Sequence, residues 1–107
     1  MDRVVVERKL DSLRRCLQRV RDKCPRDAGA LRGDVDAQDI LVLNISRAVQ
    51  LSVDLASHLL ADTGLPPPES MAQSFEQLVE SGAIDKDVGQ QLRRAVGFSN
   101  LAVHAYA

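Results

Sequence analysis

Tryptophan is absent from this chain of 107 residues, and aromatic residues make up only 3% of it, although 45% of it is hydrophobic. A core without large rings is built from Leu, Val, Ile and Ala, the usual material of packed helices. Long apolar runs are also missing, because no stretch approaches the roughly 20 residues that span a bilayer. The composition therefore predicts a single all-α domain and no membrane partner.

Cysteine is scarce, and the two present, Cys16 and Cys24, fall on one predicted helix. Their separation along that helix is about 12 Å, so they cannot bridge each other there. The two histidines, His58 and His104, are remote from both cysteines in the sequence, and no spacing matches a zinc site. We therefore expect no metal and no cofactor. Unpaired thiols and a charged N-terminus, unlike a signal peptide, predict a cytoplasmic protein.

Charge is balanced overall, at a formal net −1, but it is spread unevenly. Residues 1–26 contain nine Lys or Arg and four Asp or Glu, whereas the remainder contains five and eleven. The first helix is therefore basic, and it could attract RNA or an acidic partner by charge alone. A solvated helix face is the alternative interpretation.

Apolar residues at three- and four-residue steps predict a first helix over residues 3–24, with an apolar stripe of Val6, Leu10, Leu13, Leu17, Val20 and Cys24. Pro25 ends it, and residues 25–35 are expected to form a linker. Asp36 is the expected N-cap of a second helix that runs to about Asp62. The apolar surface of this second helix is so wide that we expect it to be covered on more than one side.

Three consecutive prolines after Gly64 predict a stiff connection that stops the second helix. Ser70 and Gln73 form a capping box that opens a short third helix. Asp85 is the expected cap of a fourth helix, and Gly97 is expected to bend or interrupt the path into the last segment. The chain is thus predicted to have four or five helices.

The C-terminal segment contains Asn100, His104 and Tyr106. On a helix, residues four apart lie on one face about 6 Å from each other, so Asn100 and His104 could hold one small polar group together. Histidine exchanges protons near neutral pH. Each residue taken alone also has a structural interpretation, the histidine as a packed or surface side chain and the tyrosine as a half-buried ring.

A second polar set, Arg47, Gln50, Asp54 and His58, recurs at three- and four-residue spacing on the second helix. These side chains could line an RNA cleft opposite His104. They could equally be a solvent-facing stripe with internal contacts between Asp54 and Arg47 or His58.

Several segments, in order, resemble the HepT-like family of the HEPN superfamily, whose members are metal-independent ribonuclease toxins. The family's R-x4-His-x-Tyr motif corresponds to residues 99–106, and residues 1–35 match only as a first helix of suitable length. The matching segments are Asp39 to Asn44, Ala48 to Gln50, Asp54 to Ala56, Gly64 to Pro67, Phe75 to Leu78, and Leu92 to Phe98.

The resemblance implies a HEPN bundle that forms a homodimer or higher oligomer through its central and C-terminal motif helices, with RNA cut in a shared cleft. It implies that His104 is the acid and base and that Asn100 positions the phosphate. It also implies an MntA-like minimal nucleotidyltransferase antitoxin that attaches AMP to Tyr106, as in type VII toxin–antitoxin systems. Because the family continues beyond the position of Ala107, the single domain 1–107 is expected to lack the last helix, either as a truncated domain or as a divergent member.

The family's arginine is replaced here by Ser99, which supplies no charge and little reach. Position 99 lies about 140° around a helix from His104, a gap that only a long side chain crosses. A kink at Gly97 that draws Arg94 closer, or an arginine such as Arg47 from a second subunit, would be needed to restore the charge. The alternative functions are a non-catalytic HEPN module that binds RNA, nucleotide or a nucleotidyltransferase, and a structural helical bundle with no ligand.

Overall fold

The computed structural model describes residues 2–61 and 63–106, and the side chains of these residues except 99 and 101–106. This part of the chain forms five α-helices and no strand, which confirms the predicted all-α fold. The helices are α1 (Arg3–Lys23), α2 (Ala28–Arg32), α3 (Val35–Leu60), α4 (Met71–Glu80) and α5 (Lys86–Tyr106).

Helix α1 has the predicted bounds because a cap and a proline define its two ends. The Asp2 carboxylate accepts hydrogen bonds from the backbone N–H groups of Val4, at 3.0 Å, and Val5, at 3.2 Å. The last helical residue is Lys23, two positions before Pro25. A carboxylate at the N-cap both accepts these free N–H groups and complements the helix dipole.

The buried face of α1 differs from the predicted stripe. Cys16 is the residue that α1 buries, whereas Leu17 is 39% exposed and Cys24 is also exposed. Periodicity locates an apolar stripe but not the line along which a neighbouring helix makes contact, and α3 contacts the face that contains Cys16. Both cysteines are free, as expected from their spacing.

The predicted linker contains a short helix, and the cap of the next helix lies two residues earlier than expected. Asp27 caps α2 through a 2.7 Å bond from the N–H of Ala30. Asp34, and not Asp36, caps α3 by accepting from the N–H of Ala37 at 3.0 Å. Aspartates occur at both positions, and the extended backbone of Asp34 after α2 makes it the cap.

Helix α3 is the centre of the bundle, since α1, α2, α4 and α5 all pack against it. On one side it contacts α1, while on another its Val49, Ala56 and Leu60 form the main core with Phe75 of α4 and Val96 of α5. The expectation that α3 is covered on more than one side is confirmed. Among the described residues, α1 makes no contact with α4 or α5.

The composition of α3 corrects the expectation that no stretch of the chain is long and apolar enough to span a bilayer. By length and composition alone α3 is long and apolar enough to cross a membrane. This is weak evidence, because the central helix of a bundle meets the same criterion when other helices cover it. Charged and uncharged polar side chains spaced along the helix interrupt its apolar sequence.

The connection between α3 and α4 is held by side chains of α4. Gln77 donates from its Nε2 to the carbonyl of Pro66 at 2.8 Å. Ser70 accepts the N–H of Gln73 at 3.1 Å, and the Gln73 side chain in return accepts the N–H of Glu69. The predicted capping box is therefore present, with the return bond made one residue earlier than in the standard motif.

Helix α4 ends in a Schellman motif that needs glycine. Gly82 has a φ of 82° and donates its N–H to the carbonyl of Val79, while the N–H of Ala83 bonds to the carbonyl of Leu78. Only glycine adopts this left-handed conformation without a steric penalty. The turn directs the chain back so that α5 packs on α4.

Helix α5 begins as predicted but is not interrupted by Gly97. Asp85 accepts the N–H of Val88 at 2.9 Å, and the helix then continues to Tyr106. The expected interruption at Gly97 is therefore wrong, and a single glycine lowers helix stability by only about 1 kcal/mol.

A different glycine, Gly89, is required by packing. A Cβ at this position would lie 2.5 Å from Cγ2 of Val79, whereas a Cβ at Gly97 would meet nothing within 4 Å. The absence of a side chain at Gly89 lets α4 and α5 approach closely.

We expect Gly89→Ala and Gly97→Ala to change stability in opposite directions. Gly89→Ala should lower the free energy of unfolding by about 1–3 kcal/mol, because Val79 has to move. Gly97→Ala should raise it by up to about 1 kcal/mol, because alanine favours a helix and the site is open. Urea unfolding followed by far-UV circular dichroism measures both, and equal shifts of the two midpoints would contradict this packing.

Candidate functional site

The motif residues occupy the last turns of α5, just after that helix leaves the described core. Leu92, Ala95 and Val96 pack inward, and Val96 is the last buried residue of α5 for which burial is described. Phe98 and Asn100, which follow it, are exposed. The motif thus begins where α5 presents side chains to an open surface.

Asn100 and His104 both lie on α5. They are one helical turn apart on an uninterrupted helix, a rise of about 6 Å, which keeps the predicted spacing. The side chains of Ser99, His104 and Tyr106 lie outside the described residues. Their roles therefore stay predictions that rest on their places in the helix.

One ion pair links the part of α5 before this segment to α4. The Arg93 Nη1 lies 3.3 Å from Oε1 of Glu76 on α4, which joins the two helices on their outer side. Arg94, the next residue, is exposed and lies about 15 Å along the axis from position 104. Because α5 is not interrupted at Gly97, no break in the helix brings Arg94 towards the motif.

The polar stripe on α3 faces α1 in its middle part. Asp54 accepts a bond from Nζ of Lys9, at 3.2 Å, and another from Nε2 of Gln50, at 3.3 Å. The internal contacts expected between Asp54 and Arg47 or His58 are thus replaced by an ion pair between α1 and α3. His58 is half-buried in the last turn of α3.

Arg47 contributes to a groove between α1 and α3, which we call the arginine groove. It has a volume of about 590 Å³ and is lined by Ser12, Arg15, Cys16, Arg19, Leu43, Asn44, Arg47, Gln50 and Leu51. The sequence analysis singled out Arg47 but missed Arg15 and Arg19 as site residues. Their spacing of one helical turn on a basic helix was the available signal.

Helix α3 lies between the arginine groove and α5. No described residue of α1 contacts α5, so Arg15 and Arg19 do not lie against the described part of that helix. Within the described ranges, no three His, Cys, Asp or Glu side chains cluster as they would around a metal ion. The molecule therefore has two separate polar surfaces, one at the end of α5 and one between α1 and α3.

Comparison with known proteins identifies the family of this bundle. Residues 13–107 match the family model described as ribonuclease HepT-like, which includes α5 and its C-terminal motif. The chain belongs to the ribonuclease HepT-like family. The resemblance found in the sequence is thus confirmed.

Relatives of this HepT-like chain agree in sequence and in structure. It is 28% identical to the mRNA nuclease HepT of Shewanella oneidensis over 102 residues, which cover 95% of this chain and 76% of the relative. It also matches a tri-AMPylated Shewanella oneidensis HEPN toxin in complex with MNT antitoxin, with a TM-score of 0.87, 28% identity, and coverage of 100% of this chain and 79% of that one.

A further solved structure, a toxin–antitoxin complex with AMP-PNP, has a TM-score of 0.84 and 28% identity to this chain. The match covers 94% of this chain and 75% of that one. These similarities confirm the predicted HEPN bundle.

The Lys9–Asp54 ion pair can be measured by a double-mutant cycle. The two side chains are 27% and 39% exposed, so solvent weakens their attraction. We expect Lys9→Ala and Asp54→Ala to have a coupling energy of about 0.2–1 kcal/mol in urea unfolding. The pair Arg14 and Asp11, which lies within α1 and is more exposed, serves as the control. Strictly additive effects at Lys9 and Asp54 would contradict a stabilising contact.

Proposed function

We propose that this chain is the toxin of a HepT-like toxin–antitoxin pair, an endoribonuclease scaffold whose motif lacks its arginine. The observation that carries this proposal is the family match over residues 13–107, a range that includes Asn100, His104 and Tyr106. We align Ser99 with the arginine of the family's motif. The mRNA nuclease HepT, a relative over 95% of this chain, supports RNA as the substrate.

The chemistry assigned to this scaffold is attack of a ribose 2′-hydroxyl on the neighbouring phosphorus. The 5′-oxygen of the next nucleotide leaves, so the products are a 2′,3′-cyclic phosphate and a 5′-hydroxyl. His104 takes the proton from the 2′-hydroxyl or donates one to the leaving oxygen, as an imidazole does near neutral pH. The Asn100 amide, one turn earlier on α5, donates a hydrogen bond to the phosphate.

Ser99 weakens this reaction because charge accumulates on the phosphoryl oxygens in the transition state. The guanidinium of an arginine donates paired hydrogen bonds to such oxygens, which a serine hydroxyl cannot replace in charge or reach. Removal of one such group from an active site typically lowers the rate by about 10²- to 10³-fold. The chain as it stands therefore has a degenerate site.

A dimer in which α3 and α5 face a second copy fits the surface of this molecule. Large apolar side chains are exposed on both helices, including Leu59 of α3 and Phe98 of α5. Exposed apolar surface of this kind is common where a protein binds a partner.

We expect Ser99→Arg to raise the rate of RNA cleavage by about 10²- to 10³-fold. His104→Ala, added to Ser99→Arg, should remove that cleavage because the proton-transfer group is lost. The measurement is the appearance of 2′,3′-cyclic phosphate ends on a labelled RNA incubated with the purified chain. The control is Ser81→Arg, which adds the same charge at the end of α4, outside the motif.

Two results would contradict the assigned roles. Cleavage that survives His104→Ala would exclude His104 as the acid and base. Equal cleavage by the unaltered chain and by Ser99→Arg would show that the site does not need the arginine. RNA binding without cleavage in both chains would instead favour the second candidate, a non-catalytic HEPN module that binds RNA, nucleotide or a nucleotidyltransferase, which Ser99 also favours.

The proposed partner is an MntA-like minimal nucleotidyltransferase that attaches AMP to Tyr106. The support is the similar HEPN toxin, which is tri-AMPylated and in complex with MNT antitoxin. In the reaction the phenolic oxygen attacks the α-phosphorus of ATP, pyrophosphate leaves, and the phenolic proton passes to solvent. The added phosphate would lie two residues from His104 and would repel RNA. The free thiols agree with a cytoplasmic location for this pair.

We expect an MntA-like nucleotidyltransferase encoded beside this chain to modify it with ATP at Tyr106. Intact-mass spectrometry should show the addition of one or more AMP units, and Tyr106→Phe should abolish it because the acceptor oxygen is missing. The chain has no other tyrosine, so the control is Ser99→Ala, which leaves the acceptor in place. Modification that persists in Tyr106→Phe would assign the acceptor to another residue.

A further inference from the structure

The arginine groove lies away from the motif and has a distinct chemistry. Arg15 and Arg19 are one turn apart on α1, and Arg47 lies opposite them on α3. None of the residues that line the groove is acidic. Three guanidinium groups therefore share one concave surface without an anion among the lining side chains.

These arginines also have no ion pair elsewhere in the described part of the chain. Arg15 donates from Nη2 to the hydroxyl of Ser12 at 3.0 Å, which is a neutral contact. The carboxylates that pair with cations are bonded to other residues, namely Asp54 to Lys9, Asp11 to Arg14 and Glu76 to Arg93. The positive charge of the groove is thus available to an external anion.

The lining favours phosphate as that anion. Arginine forms paired hydrogen bonds with phosphate oxygens, and two arginines one turn apart can contact successive groups along a strand. No aromatic side chain lines the groove, so bases have no stacking platform there. Such a surface recognises a sugar–phosphate backbone independently of sequence.

The distribution of charge along the chain favours this groove over other surfaces. Residues 27–107 contain eleven acidic and five basic side chains, whereas residues 1–26 contain nine basic and four acidic ones. A polyanion is repelled by the acidic surfaces and drawn to α1.

We propose that the arginine groove between α1 and α3 binds the phosphate backbone of a single-stranded RNA outside the catalytic motif. This inference rests on the proposed RNA substrate and adds a second binding surface to it. Because α3 separates the groove from α5 within one chain, the role proposed for these arginines is to hold the RNA strand.

The test uses the full chain and a labelled oligouridylate with 2′-O-methyl sugars, which lacks the attacking hydroxyl and so stays intact. Affinity is measured by fluorescence anisotropy over a range of salt concentrations. In Arg15→Gln/Arg19→Gln/Arg47→Gln, the slope of log affinity against log salt should fall by about 2, because each single-strand phosphate contact contributes about 0.7. Affinity at low salt should fall more than about tenfold, and equally for oligoadenylate.

The matched control is Arg14→Gln/Arg21→Gln/Arg32→Gln, which removes the same charge from exposed positions that do not line the groove. The slope of log affinity against log salt for this control should change by less than about 0.7, the contribution of one phosphate contact. If the triple groove variant does not fold by circular dichroism, Arg19→Gln alone should still lower the slope by about 0.7.

The remaining outcomes separate this inference from the proposed function. Unchanged RNA affinity in the groove variants, or an equal loss in the control, would overturn the inference. Unchanged RNA affinity with lost binding of the nucleotidyltransferase would overturn it in favour of an acidic protein partner. RNA binding that depends on the groove, with no cleavage by Ser99→Arg, would support the groove and contradict the ribonuclease proposal. Cleavage by Ser99→Arg, with RNA affinity unchanged in the groove variants, would support the ribonuclease proposal and contradict the groove.

Discussion

Burial of the apolar surface of α3 organises every other element of this protein. Helices α1 and α2 pack on this helix, and α4 and α5 pack on it together through a core around Phe75 and Val96. Because the described part of α1 contacts neither α4 nor α5, the bundle has no other common element. A helix that is apolar around most of its circumference has to be covered on several sides, and this requirement sets the arrangement of the fold.

The same central position of α3 separates two surfaces of different chemistry. The C-terminal motif lies at the end of α5, where the exposed Asn100 precedes His104 by one turn. The arginine groove lies where α3 meets α1, and Asp54 is bonded to Lys9 farther along the same contact. A protein that cuts RNA needs both reacting groups and a surface that holds the strand, and we propose that here these two tasks fall to different helices.

Glycine residues in and before α5 determine how this helix packs on α4. Gly82 turns the chain after α4, and Gly89 lets α5 approach Val79 closely enough to share the core. Gly97, by contrast, has open space around it, and α5 is not interrupted there. The motif therefore lies on the same helix as the residues of α5 that pack in the core.

The sequence by itself determined the helical class, the bounds of α1, the caps at Ser70 and Asp85, and the family, because these depend on local spacing and on motif residues. It did not determine α2, the use of Asp34 as the cap of α3, or the burial of Cys16 in place of Leu17. The sequence also did not predict that Arg15 and Arg19 line one groove with Arg47. Those features depend on which face of one helix meets another, and only the packed tertiary structure fixes that choice, since one sequence pattern is compatible with several contact lines.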